Sequence, residues 1–224
     1  MGIFAGANLI DNGLVYSLDA ANFRSYSGSG LTSNALVGGI GATLVNGVGF
    51  SSLNAGYFSF DGTNDYISIG DNSLLNTFSG MALEVIVKYN NTNDQIFAQK
   101  VNYVSNHWYG IEIYSSTIAA ACYQGGANYL SVPVSSYPAN NIYHMVITLN
   151  GTTQTFYING VSVASNSSGA APSLSGTNFV IGTRSNLSSQ YLNGNIYQAK
   201  FYNRALSAQE VKQNYNATKK RYGL

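Results

Sequence analysis

The stretch that decides the fold runs Tyr143-His144-Met145-Val146-Ile147-Thr148-Leu149-Asn150-Gly151-Thr152-Thr153-Gln154-Thr155-Phe156-Tyr157-Ile158-Asn159-Gly160-Val161-Ser162-Val163. It reads as three strands joined by two Asn-Gly turns. Asn and Gly tolerate the positive φ that both central positions of a type I′ turn require, and the twist of that turn matches the twist of paired strands. Two such turns predict an antiparallel meander of fixed register. The stretch holds no carboxylate, so it offers a scaffold and a surface but neither acid nor base.

Working outward, short strand candidates recur with turn signals between them. Leu14–Leu18, Ala42–Gly47, Tyr57–Phe60 and Asp65–Ile69 precede a run from Met81 to Tyr89 that alternates clearly. Ala82, Glu84, Ile86 and Lys88 face one way; Leu83, Val85, Val87 and Tyr89 face the other, the period of a strand with two distinct faces. Gln95–Lys100, Trp108–Tyr114, Thr117–Tyr123, Tyr129–Val134, Asn178–Gly182 and Gly194–Asn203 complete roughly a dozen strands. No helix-period segment separates them, which predicts an all-β, antiparallel two-sheet sandwich. One short C-terminal helix is expected. Ser207-Ala208-Gln209-Glu210 is a capping box, Val211, Asn214 and Tyr215 follow on one face, and the helix should stop by about Thr218. No Pro-rich or Ser-rich linker divides the chain, so residues 1–224 read as one domain with a short lead-in over 1–12.

Composition narrows the partners. Hydrophobic residues make up 45% of the 224 residues and charged residues only 8%, against about 25% in an ordinary domain. Asn, Ser, Thr and Gly supply the polarity, a surface suited to close packing in an assembly. The net charge is +1 and the one basic cluster is Lys219-Lys220-Arg221, read as a solvated end, so nucleic acid is not an expected partner. Cys122 stands alone, which excludes an intrachain disulfide framework and reads as a small buried thiol. Residues 1–8 lack the basic and apolar regions of a secretion signal, and no apolar run approaches the roughly 20 residues of a membrane span. The expectation is a soluble protein made in a cytoplasm.

Four segments in order carry a resemblance to a known family: Gly13–Ala20, Phe58–Ile67 with its Asp61-Gly62-Thr63-Asn64-Asp65 turn, the meander, and Gly194–Ser207. The chain resembles the laminin-G-like branch of the concanavalin A-like lectin/glucanase superfamily over nearly its whole length. Leu18–Gly30 and Asn214–Leu224 look like the ends of such domains in tailed-phage structural proteins. The resemblance implies a jelly-roll sandwich with a concave and a convex sheet. It also implies a virion protein without enzymatic activity, present in several copies as capsid decoration, head fibre or tail-associated adhesin. Its partners would be other virion proteins and host-surface polysaccharide.

Catalytic chemistry finds little to work with. Glycoside hydrolysis needs two carboxyl groups roughly 5–9 Å apart. The glucanase relatives alternate acidic residues along one strand, but here Glu84 is followed by Ile86 and Lys88, and Glu112 is similarly alone. A Glu84–Glu112 pair on neighbouring strands is the only hydrolytic arrangement on offer. His107, placed in a loop, and His144, in the meander, are more readily structural than catalytic, and two His with one Cys do not make an ordinary zinc site. The relatives imply calcium as the metal to consider, at Asp61, Asn64 and Asp65 with Asp19 nearby. A turn closed by Asx hydrogen bonds explains the same residues. No other cofactor is implied. Glycan binding needs aromatic faces with polar edges. The loop aromatics are Tyr26, Tyr103, Trp108, Tyr137 and Tyr191, and the best cluster is Tyr103, Asn106, His107 and Trp108. Those residues suit a sugar and an aromatic anchor against another virion protein equally well.

Overall fold

The computed structural model describes residues 8–76, 78–126 and 128–224. Residues 1–7 of the expected lead-in lie outside it. Among the described residues sixteen strands and one α-helix, besides two single 3-10 turns (Ser73–Leu75 and Val134–Ser136), follow in chain order: β1 (Leu14–Asp19), β2 (Thr32–Asn34), β3 (Gly41–Val45), β4 (Gly49–Ser51), β5 (Tyr57–Asp61), β6 (Tyr66–Ile69), β7 (Gly80–Tyr89), β8 (Gln95–Asn102), β9 (His107–Tyr114), β10 (Thr117–Gln124), β11 (Leu130–Pro133), β12 (Ile142–Asn150), β13 (Thr153–Ile158), β14 (Val161–Asn166), β15 (Phe179–Ile181), β16 (Asn193–Tyr202) and α1 (Ala208–Tyr222). The strands exceed the expected dozen because β2 and β4, three residues each, carry too few positions to show an alternation.

Every pairing is antiparallel, and the strands form two sheets packed as a jelly-roll sandwich. The first sheet orders β14-β13-β12-β7-β16-β5-β4, with β1 pairing the distal half of β16. The second orders β11-β10-β9-β8-β15-β6-β3-β2. The chain switches sheets between β3 and β4 through Asn46-Gly47, both at positive φ (62° and 108°).

The meander occupies one end of the first sheet, as its pattern predicts. Its two turns differ. At Asn159-Gly160 both residues have positive φ (51° and 74°) and Ile158 pairs Val161, the expected type I′ arrangement. At the other turn Asn150 still pairs Thr153, so Gly151-Thr152 form the bend and only Gly151 is left-handed (φ 60°). That is the pattern of a type II′ turn, with glycine at the first central position.

The inward faces of both sheets bury one apolar core, in which Leu83, Val85, Val87 and Tyr89 of β7 meet Tyr109, Ile111 and Ile113 of β9. The other face of β7 is closed as well, because α1 lies across it. Val211 packs with Ala82, Val146 and Tyr202, and Tyr222 packs with Ile86 and Tyr197. The helix runs past its expected end at Thr218. Burial at Val211, Asn214, Thr218 and Tyr222 continues one stripe to its last turn, and Gly223 closes it at φ 70°. Cys122 is buried in the core, with burial raising its pKa. No helix among the described residues is long and apolar enough to cross a membrane.

Candidate functional site

The two outward faces of the sandwich carry different chemistry. On the first sheet, beneath α1, lies a closed polar network. Glu84, 1% exposed, accepts from Lys200 Nζ at 2.8 Å and from Asn214 Nδ2 at 2.7 Å, and His144 Nε2 stands 3.4 Å away. Lys200 Nζ also donates to Gln198 Oε1 at 2.9 Å, and Gln198 Nε2 donates to Asp19 Oδ2 at 2.7 Å. Arg221 then grips both Asp19 oxygens at 2.7 and 2.8 Å. Arg221 is thus a partner of the sheet rather than part of a solvated basic end, and Asp19 is engaged here rather than at the Asp61 turn. Burial works to raise the Glu84 pKa, but the Lys200 ammonium and His144 outweigh it and hold the carboxyl well below its ordinary range. A deeply ionised, fully partnered carboxylate under a helix is an anchor, not an acid.

On the second sheet the outward face is open, and a cavity of about 370 Å³ lies on it. Alternation along β9 sends Trp108, Gly110, Glu112 and Tyr114 outward while Tyr109, Ile111 and Ile113 enter the core. Val101, Trp108 and Tyr123 stand directly across β8, β9 and β10. Trp108 stacks on Tyr123 (ring centroids 5.7 Å, planes 26° apart) and meets Tyr129 at 5.4 Å. Gly110 lets the indole lie flat: a Cβ there would come within 2.8 Å of Trp108 Cζ2 and 2.7 Å of Gln99 Cβ. The indole N–H donates to Gln99 Oε1 at 2.7 Å, which fixes the amide. Gln99 Nε2 is left buried without a hydrogen-bond partner among the described residues, although Gln99 is only 2% exposed and lines the cavity.

The β15–β16 loop brings Arg184 and Gln190 to the rim. Arg184 Nε donates to Tyr103 Oη at 3.0 Å, and its guanidinium lies over the Tyr103 ring at 5.5 Å. Glu112 faces the same cavity. Burial pushes its pKa up to about 7; Arg184 opposes this, Asp94 adds to it, and no hydrogen bond from the protein contributes. This is the reverse of Glu84.

Of the expected glycan residues, Tyr103, Asn106 and Trp108 line this cavity together. His107 does not. It starts β9 rather than sitting in a loop, and its Nδ1 lies 2.9 Å from Ser173 O and 3.2 Å from Ser173 N, on the other side of the strand. Trp108 is likewise a strand residue. Tyr26 is a core residue bonded to Gly30 O, Tyr137 accepts from Tyr89 Oη through its carbonyl, and Tyr191 donates to Leu187 O at 2.7 Å. Glu84 and Glu112 fall on opposite sheets and on outward faces. The whole core, about 10 Å thick between sheets, separates them, so they cannot flank one bond. Asp61, Asn64 and Asp65 share the turn between β5 and β6. Asp61 Oδ1 accepts from Thr63 N at 2.7 Å and Asp65 Oδ2 from Asp61 N at 3.1 Å, the Asx arrangement. No group of three or more His, Cys, Asp or Glu suited to a metal occurs among the described residues. Gln99, Gly110, Tyr123, Tyr129 and Arg184 escape a sequence reading. The period-two spacing of Trp108 and Glu112 places both on one face, but nothing local announces Arg184, which arrives from a distant loop.

Comparison with known proteins places the fold. The binding domain of Paraclostridial mosquitocidal protein 1 superposes with a TM-score of 0.70 at 17% identity, over 92% of this chain and 52% of that one. Domain 4 of AbnA, an extracellular arabinanase from Geobacillus stearothermophilus solved with arabinotriose, gives 0.70 at 15% identity, over 90% and 98%. Trypanosoma rangeli sialidase gives 0.70 at 15% identity, over 94% of this chain but 34% of the enzyme. The chain thus spans about half of the first and a third of the last. No curated protein matches the sequence. The model of the laminin G type, described as the concanavalin A-like lectin/glucanases superfamily, matches residues 61–212. That span runs from the β5–β6 turn through both faces to the first turns of α1, and the chain belongs to the concanavalin A-like lectin/glucanases superfamily.

Proposed function

We propose that this chain is a non-catalytic, lectin-like domain that binds a glycan on the open face of its second sheet. The observation that carries the reading is the aromatic floor of the cavity, buried Trp108 and Tyr123 with the more exposed Tyr129, and the unpaired donor Gln99 Nε2 buried at its edge. A sugar ring presents C–H groups to an aromatic plane and hydroxyls to polar edges, so it meets both needs at once. A buried amide N–H without an acceptor costs about 1–3 kcal/mol, which a hydroxyl or ring oxygen would recover. The solution of AbnA domain 4 with arabinotriose is consistent with a sandwich of this shape serving sugar recognition.

The wider setting proposed is the surface of a phage particle, in several copies, as decoration, head fibre or tail-associated adhesin. The phage-like segments at both ends of the chain support it, together with the low surface charge. Of the ten basic and nine acidic side chains, Asp19, Asp65, Glu84, Lys100, Glu112 and Lys200 are buried, which leaves a surface dominated by uncharged polar groups. Many weak sites on one particle gain avidity from effective concentration, so a single site need not bind tightly.

Calorimetric titration with neutral and acidic oligosaccharides tests the glycan reading. Binding should weaken at least tenfold in Trp108→Ala; because Trp108 is buried, that variant also loses about 3–5 kcal/mol of stability, so its binding is measured well below its unfolding midpoint. Hydrolysis of a bound oligosaccharide would replace the non-catalytic reading with the glucanase one. Detection of the chain in purified particles tests the setting; recovery only as free protein would end it.

A further inference from the structure

The open pocket contains more than an aromatic shelf. It pairs a cation and an acid that do not close on each other. Arg184 has its Nε–H engaged by Tyr103, and its terminal N–H groups have no acceptor among the described residues. Glu112, 6% exposed, shares the cavity, and Arg184 reaches it only as a charge at a distance, with no ion pair formed. Gln99 Nε2 adds a third free hydrogen-bond donor at the cavity wall.

Resting on the glycan reading, we propose that the pocket selects an acidic sugar, whose carboxylate sits between Arg184 and Glu112. Arg184 donates to the ligand carboxylate as a charge-assisted pair. Glu112, in its protonated form, donates its O–H to the same group. Gln99 Nε2 satisfies a hydroxyl or ring oxygen, while Trp108 takes the C–H face. A neutral sugar would use the shelf and the amide but leave the guanidinium without a counter-charge.

The groups facing Glu112 fit this assignment. Asp94, from the β7–β8 loop, adds negative charge and favours the acid form; Arg184 is the one opposing charge. Asp94 Oδ1 is itself held by Ser115 N at 2.9 Å. Tyr123 and Tyr129 both have pKa values raised by burial, so they stay neutral donors, and Tyr103 and Tyr114 complete the titratable rim. Below about pH 7 Glu112 is neutral and can donate beside the Arg184 cation; above it a ligand carboxylate faces a second carboxylate. A ligand that binds only the protonated form takes up one proton from solvent at high pH. With a pKa of about 7, its affinity at pH 8.5 falls about 30-fold below that at pH 5.5.

The test is calorimetric titration of the full chain with trigalacturonate, its methyl ester, 3′-sialyllactose and lactose at pH 5.5, and with the two acids again at pH 8.5. The expected result is that at least one acid binds, tenfold or more above its neutral counterpart, and loses affinity at pH 8.5. Glu112→Gln should hold the low-pH affinity at pH 8.5, and Arg184→Gln should remove the preference for the acid. Equal binding of acid and neutral counterpart, or stronger binding at pH 8.5, overturns the proposal. Binding of neutral oligosaccharides alone (laminarihexaose, cellohexaose or arabinotriose), lost in Trp108→Ala, also overturns it but leaves the glycan reading standing. No binding to any of these probes sinks both.

Discussion

Glu84 and Glu112 are the two strand carboxylates of this molecule that sequence leaves without a partner, and the fold treats them oppositely. Both are buried, both sit mid-strand on an outward face, and each has tyrosines nearby. Glu84 lies under α1 with Lys200 and Asn214 on its oxygens. Glu112 lies under no helix, buried among the side chains of the cavity with no hydrogen bond from the protein. Burial raises the pKa of both; only Glu84 has partners close enough to reverse it. Satisfaction, rather than burial, separates a carboxylate that holds the fold from one left ready for a ligand.

The sharpest way to break this contrast is to remove each carboxylate. Glu84→Ala leaves Lys200 buried as an uncompensated charge, and loss of one partner of such a pair costs about 3–5 kcal/mol. Urea unfolding at pH 7 should show that loss, whereas Glu112→Ala should not approach it. A Glu84→Ala protein within about 1 kcal/mol of the parent would falsify the anchor role.

The second prediction concerns pH. Glu112 has its folded pKa raised to about 7 from the ordinary 4.5. Between those values the folded state binds more protons than the unfolded one, so stability falls as pH rises. The loss is roughly 3 kcal/mol, complete just above pH 7. Glu84 has the opposite sign. Its folded pKa is depressed, so its contribution is present above pH 4.5 and drains away as pH falls below that. Glu112→Gln should flatten the curve from pH 4.5 to 7.5 and leave the acid limb untouched. A slope that survives Glu112→Gln would assign it to another group.

Gly110→Ala sharpens the comparison at the open face alone. The added methyl meets Trp108 Cζ2, Gln99 Cβ and Ala98 O at 2.7–2.8 Å. Overpacking of this kind costs about 1–3 kcal/mol. The indole must also tilt off the sheet, so tryptophan fluorescence should shift and oligosaccharide affinity should drop. An unchanged fluorescence spectrum would mean that the backbone, not the indole, yields.

Much of this was readable without coordinates, and the reasons are physical. Met81–Tyr89 showed its two faces because strand side chains alternate strictly, and both faces proved to be buried. Asn159-Gly160 declared its turn because few other pairs accept two positive φ values, while Asn150-Gly151 misled because register put Asn150 in the ladder. Trp108 and Tyr103 stood out as aromatics near a turn, but His107 pointed away, a consequence of the period of two. The face that α1 would cover was not legible, since Asn214, Glu84 and Tyr202 meet only through tertiary packing. Arg184 was silent for the same reason. The cavity is made by a strand face and a loop whose sequence separation carries no periodic signal.

The smallest effect tests what closes the first face. Ser207 Oγ accepts from Glu210 N at 3.3 Å, and Glu210 Oε2 accepts from Ser207 N at 2.8 Å, while Arg204 clamps both Glu210 oxygens at 2.6 and 3.0 Å. The Arg204 hydrogen bonds lead in holding the Glu210 pKa down at about 2. Ser207→Ala removes both Oγ bonds, the one accepted from Glu210 N and the one donated to Glu210 Oε2, and should cost about 1 kcal/mol. Glu210 keeps Arg204 and the backbone N–H of residue 207, so the helix should loosen at its first turn without leaving the sheet. Hydrogen exchange should therefore quicken at the amides of residues 208–211 and remain slow near Asn214 and Thr218, which are anchored deeper. If protection at Asn214 collapses together with the first turn, the cap rather than the Glu84 network holds α1 over the sheet, and the closed face owes its closure to the helix end.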